Sequence, residues 1–178
     1  YYVRMDTMLG ETESALGPDV PLLIVSDHGF ASYRWSLDVN RILEHHGLLQ
    51  YNGEPSSSGR SLQDIDWNQT TAYALGMNGI FVNLASREKF GNVPFSEYDK
   101  VVDKIQEVLR SYLDTHTAVK PFRNVRRRTE VYSGPQVSQA PDVVYGLEDG
   151  YRSSWETVLG GAGLGEIRIN TSAWSGDH

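Results

Sequence analysis

Residues 21–30 read Pro21-Leu22-Leu23-Ile24-Val25-Ser26-Asp27-His28-Gly29-Phe30. A short apolar run is followed at once by an acid, an imidazole and a glycine. Such a run, bounded by turn-forming residues, predicts a buried strand over Leu22–Ser26, central in a mostly parallel sheet covered on both faces. The Asp–His pair then falls at the strand's C-terminal end, the edge at which open α/β sheets bind ligands. Successive side chains of a strand point to opposite faces. Asp27 and His28 therefore serve one centre only if the chain turns there, and Gly29 permits the turn. A carboxylate beside an imidazole on such a turn suits a divalent metal, zinc above all. The same residues also read as a strand-end Asp capping the next loop beside an unrelated His, and spacing alone leaves both readings open.

Working outward, the 178 residues are enough for one domain with a real core. Hydrophobic residues make up 39% and charged residues 22%, a globular rather than disordered composition. A net charge of −7 argues against general nucleic-acid binding, which needs a basic face. The absence of cysteine excludes disulfides and thiolate metal sites and leaves the compartment open. No apolar run approaches the length of a membrane span.

Before the opening stretch, residues 1–16 space Val3, Met5, Met8, Leu9 and Leu16 as an amphipathic helix stopped by Gly17-Pro18. After it, Leu37, Val39, Ile42, Leu43 and Leu48 predict a short helix ended at Gly47. Residues 53–61 form the clearest loop. Residues 70–75 and 79–84 read as a hairpin turning at Gly76-Met77-Asn78. The best helical periodicity lies in residues 97–113. Strands are expected over 119–122, 128–132 and 143–145, and long loops from Gly150 onward.

Three segments carry a family resemblance. Ser26–Phe30, SDHGF, resembles the SDHG motif of the alkaline phosphatase superfamily, most closely its type I phosphodiesterase/nucleotide pyrophosphatase branch. Ser175–His178, SGDH, resembles the late motif that supplies the final metal-binding histidine. Ala140–Gly146, APDVVYG, with Gly150–Trp155, GYRSSW, is similar to the segment preceding that motif. The resemblance spans essentially the whole chain but covers only the later part of the family's catalytic domain. It implies an α/β fold: a partial α/β/α sandwich with a mostly parallel sheet, core segments at about 1–52 and 133–178, and a small cap-like α+β insertion at about 62–132.

The resemblance further implies two divalent metal ions, zinc with manganese as the alternative, and a phosphoester substrate. By the same carry-over Asp27 and His28 belong to one metal and His178 to the other. The family also uses an early Asp, a Thr or Ser nucleophile and an Asp and His spaced DxxxH. No DxxxH occurs here, and Asp6 lies four before Gly10. The expectation is a fragment of a longer enzyme, inactive alone, with its nucleophile upstream of Tyr1 and with truncated apolar faces open to self-association. Sulfatase, phosphonate hydrolase and mutase chemistries share the scaffold, and a non-catalytic remnant or binding domain is the alternative of a different class.

Tyr151, Arg152 and Trp155 are the substrate-binding candidates, because Arg suits phosphate and aromatics stack on rings; the competing reading is a loop pinned by its aromatics. Arg126-Arg127-Arg128 reads as a solvated charge run, and His45, His46 and His116 as surface. Trp174 reads as packing, and Asp177 as an orienter of His178 or a turn former.

Overall fold

The computed structural model describes residues 1–177 and divides them into two units, 1–30 and 31–177. The first holds the expected helix, α1 (Tyr2–Leu16), which ends where Gly17 adopts a φ of 79°. None of its residues is buried. The hydroxyls of Thr7, Thr12 and Ser14 donate to the carbonyls of Val3, Met8 and Gly10, one turn back.

Residues 22–26 correct the leading expectation. They form no strand, and Leu22, Leu23, Ile24 and Val25 are exposed. A buried strand needs a ladder partner on each side and covering layers above and below, and no strand among the described residues pairs with this run.

The second unit carries the core. After β1 (Ala31–Ser32) and β2 (Trp35–Leu37) comes α2 (Val39–His45), closed at Gly47, whose φ is 71°. Asp38 caps α2 by accepting the Arg41 N–H at 3.0 Å. This carboxylate is fully buried and also accepts the Gly163 N–H at 2.6 Å and the Ser154 and Thr157 hydroxyls at 3.1 and 3.2 Å. Burial pushes its pKa up against those four bonds.

The hairpin is present as β3 (Ala72–Ala74) and β4 (Gly79–Val82), antiparallel, with Gly76 and Asn78 at positive φ in the turn. The helix over 97–113 is α3 (Tyr98–Ser111), whose Val102, Ile105, Val108 and Leu109 form the buried stripe. Against it lies β5 (Phe122–Arg127), followed by α4 (Arg128–Val131). Residues 128–132, expected as strand, are thus mostly helical. Arg128 instead turns inward to a buried carboxylate, and the Glu130 side chain accepts the Arg127 N–H at 2.7 Å to start the turn.

Next is β6 (Val143–Leu147), the buried strand expected at 143–145. It runs between β4 and β5 in the sheet β3-β4-β6-β5. Residues 150–177, expected as loop, contain β7 (Tyr151–Ser153), α5 (Trp155–Val158), β8 (Ile167–Ile169) and β9 (Gly176–Asp177). Strand β2 lies between β7 and β8, and β1 pairs with β9.

The fold is mixed α/β, but its sheets are mostly antiparallel. Among the ladders between the described strands only β2–β7 is parallel, and one isolated parallel bridge joins Leu84 to Val93. The mostly parallel sheet is corrected accordingly. The tight β3–β4 turn permits only antiparallel pairing, since parallel neighbours need a crossover of a dozen residues or more. No helix among the described residues is long and apolar enough to cross a membrane.

Candidate metal-binding turn and aromatic cleft

In the first unit the chain bends at Asp27. The Ser26 hydroxyl donates to the His28 carbonyl at 2.6 Å, and the His28 N–H donates to Asp27 Oδ1 at 3.1 Å. The bend cancels the alternation of a strand, so both side chains fall on one side. His28 Nδ1 lies 2.8 Å from the Gly29 carbonyl, which can only accept, so the ring proton sits on Nδ1. His28 Nε2 lies 3.5 Å from Asp27 Oδ2.

Two donors on one tetrahedral zinc, each at about 2.05 Å, lie about 3.3 Å apart. The Asp27–His28 pair nearly meets that separation, with the imidazole oriented by a backbone carbonyl as metal-bound histidines are. The residues present therefore fit two positions of such a shell. Among the described residues no group of three or more His, Cys, Asp or Glu side chains is gathered for a metal. His178 lies outside the described residues.

In the second unit, Arg152 on β7 is gripped on three sides. Its Nε lies 3.2 Å from an Asp177 carboxylate oxygen, and its guanidinium sits 4.3 Å from the Trp155 ring centroid and 5.2 Å from that of Tyr33. A weak bond of 3.4 Å runs from Nη1 to the Tyr33 hydroxyl. Its side chain is 12% exposed. Asp177, expected to orient His178 or form a turn, is the partner of Arg152.

Beside this stack lies an open cleft of about 670 Å³. Its lining includes Tyr33, Ser36, Trp155, Glu156, Thr171 and Trp174, with Arg168 beside them. Trp155 and Trp174 are 61% and 64% exposed, so the expectation that Trp174 packs is corrected: its indole lines the cleft. Arg168 and Glu156 pair at 2.6 Å. The bond depresses the Glu156 carboxyl below its ordinary value, although burial alone would raise it.

Tyr151 faces the other way. Its ring is buried, and its hydroxyl donates to Asp114 at 2.7 Å and contacts the Thr117 hydroxyl at 2.6 Å. Of the three substrate-binding candidates, Trp155 alone presents an open face; Tyr151 and Arg152 are bonded internally. The sequence signal for Trp174 and Arg168 was only that aromatic and basic residues recur near the late motif.

Asp142, within the APDVVYG segment, is fully buried. It accepts Arg87 at 2.7 and 3.2 Å, Arg128 at 2.9 Å, the Tyr98 hydroxyl at 2.9 Å and the Val82 N–H at 2.7 Å. Burial, followed by this carboxylate, pushes the Tyr98 phenol up to about 12. The Arg126–Arg128 run is therefore only partly solvated: Arg127 pairs with Asp99 and Asp103, Arg128 with Asp142, and Arg126 is exposed. His45 is exposed but bonds Glu166 at 2.6 Å, and His116 stacks on Trp35.

A family model described as type I phosphodiesterase / nucleotide pyrophosphatase matches residues 1–158. That span includes the SDHG turn and Trp155 and stops before the SGDH motif. No curated protein and no solved structure matches the chain. The match covers most of the 178 residues, and the chain belongs to this family, whose domain is that of a phosphoesterase-type hydrolase.

Proposed function

We propose that this type I phosphodiesterase / nucleotide pyrophosphatase family member is the later part of a metal-dependent phosphodiesterase domain. Asp27 and His28 supply two donors to one divalent ion and His178 one donor to a second. The carrying observation is the 3.5 Å separation of Asp27 Oδ2 and His28 Nε2, with Nδ1 tied to the Gly29 carbonyl. The third ligand rests on the SGDH motif, and His178 lies outside the described residues.

Zinc, or manganese in its place, would lower the pKa of an attacking oxygen and stabilise the leaving oxygen of an in-line displacement. The Thr or Ser nucleophile and the remaining ligands lie in residues other than these. Of the three substrate-binding candidates Trp155 is the one with an open face, while Arg152 and Tyr151 hold the strand beside it. The exposed Leu22–Val25 run favours self-association of the chain when it is isolated.

The test is metal content and hydrolysis of bis(p-nitrophenyl) phosphate, measured on the chain together with the residues its gene encodes upstream. Asp27→Ala or His28→Ala is expected to lower metal-dependent turnover on the order of 10³-fold or more, because ligands and nucleophile act as a unit. Loss of one metal equivalent should accompany it. Full metal content and unchanged turnover in both variants overturn the assignment.

A further inference from the structure

We propose that the cleft walled by β2, α5 and β8 is a binding site for a planar, uncharged ring, with Trp155 as its platform and Trp174 as a second aromatic wall. Two indoles left more than half exposed at one cleft keep a large apolar area in water that a ring would cover. The volume of about 670 Å³ falls within the range of small-molecule sites.

Electrostatics select the ligand. Arg152 covers one face of Trp155 at 4.3 Å and draws on the negative potential of its π-system. The outer face is correspondingly less attractive to a second cation or to the polarised C–H bonds of a sugar. A planar ring stacks there through contact area and dispersion, which the cation does not weaken. The charged pair on the wall, Arg168 with Glu156, is internally compensated at 2.6 Å and calls for no net charge on the ligand. The hydroxyls of Ser36 and Thr171 line the cleft and offer polar partners to a ring edge.

The platform is fixed rather than loose. Trp155 opens α5, whose cap Ser154 accepts the Thr157 N–H at 3.0 Å and donates to the buried Asp38 at 3.1 Å. All of these residues belong to the 31–177 unit. The proposal is independent of the metal assignment.

The test is a titration of the ¹⁵N-labelled chain followed through its tryptophan indole N–H resonances. Caffeine serves as the planar ring, methyl β-glucoside as the sugar and tetramethylammonium as the cation. Caffeine is expected to shift the Trp155 and Trp174 signals saturably and leave Trp67, which packs on Tyr73 at 5.0 Å, in place. Trp155→Ala should weaken caffeine roughly tenfold or more, and Trp155→Phe should retain part of the binding. Arg152→Met should raise the response to tetramethylammonium. No caffeine shift at Trp155 and Trp174, or an equal response to the sugar or the cation in the unaltered chain, overturns the proposal.

Discussion

Arg152 and Asp177 form an ion pair at 3.2 Å that joins β7 to β9, two strands that share no ladder. The pair is held in place by the Trp155 and Tyr33 rings against the guanidinium. It therefore couples the aromatic cleft to the SGDH segment through one side chain.

Arg152→Lys should not preserve that coupling. A lysine keeps the charge but loses the planar group that lies on two rings while bonding a carboxylate. The expected outcome is faster hydrogen exchange at the Tyr33 amide, which donates to the Ser175 carbonyl at 2.7 Å, with amides of α3 unchanged. Equal protection in both proteins would show that β9 is held by its ladder alone.

Asp142→Asn tests the buried hub. Substitution leaves Arg87 and Arg128 facing a neutral group in a site built for a carboxylate. Breaking a buried pair costs about 3–5 kcal/mol, and the partial exposure of both guanidiniums favours the lower end. A domain of this size should lose about 10 °C in melting temperature, read by calorimetry. The Arg87→Met/Arg128→Met/Asp142→Leu combination should recover much of the loss, because it removes the charges along with their partner.

Asp114 should contribute a pH-dependent share of stability. Burial pushes its carboxyl up, but the Tyr151 and Thr117 hydroxyls, the His116 N–H and the His116 ring together outweigh burial and hold it below the ordinary value. A depressed folded pKa stabilises the fold above the unfolded value of about 3.9 and loses that contribution as the pH falls through the folded value. Urea midpoints measured from pH 5 to pH 2.5 should therefore fall less steeply for Asp114→Asn. Tyr151→Phe should cost about 1.5 kcal/mol near neutrality and leave caffeine binding intact.

The parts legible in the sequence were those set by local rules. The hairpin followed from Gly76 and Asn78, whose positive φ angles make the turn, and α3 from its apolar stripe Val102, Ile105, Val108 and Leu109. Sheet direction was not legible, because it depends on which strands meet. The parallel ladder among the described strands joins Trp35–Leu37 to Tyr151–Ser153, far apart in sequence. The run 22–26 has strand composition but no partner strand among the described residues, and composition alone does not bury a strand. At the candidate site, the turn at Asp27 and His28 was visible from the Gly29 that follows it. The inward Tyr151 and the outward Trp174 were not, since the facing of a residue in an irregular segment follows from tertiary contacts rather than periodicity.

The isolated 178-residue chain is expected to bind zinc weakly and to turn over no phosphodiester. A zinc site takes three or four protein ligands, and the Asp27–His28 turn offers two. Nor do the nearby hydroxyls replace a nucleophile. The Ser26 hydroxyl is committed to the His28 carbonyl at 2.6 Å, and that of Thr7 to the Val3 carbonyl at 3.0 Å inside α1. Titration with zinc should shift the His28 ring resonances in the unaltered chain and not the backbone of α3, and the shift should weaken in Asp27→Ala. Bis(p-nitrophenyl) phosphate with excess zinc or manganese should give no hydrolysis above that of the free metal. Turnover that Asp27→Ala abolishes would mean that a nucleophile and further ligands lie within these residues. Turnover that Asp27→Ala leaves unchanged would instead trace to a contaminant.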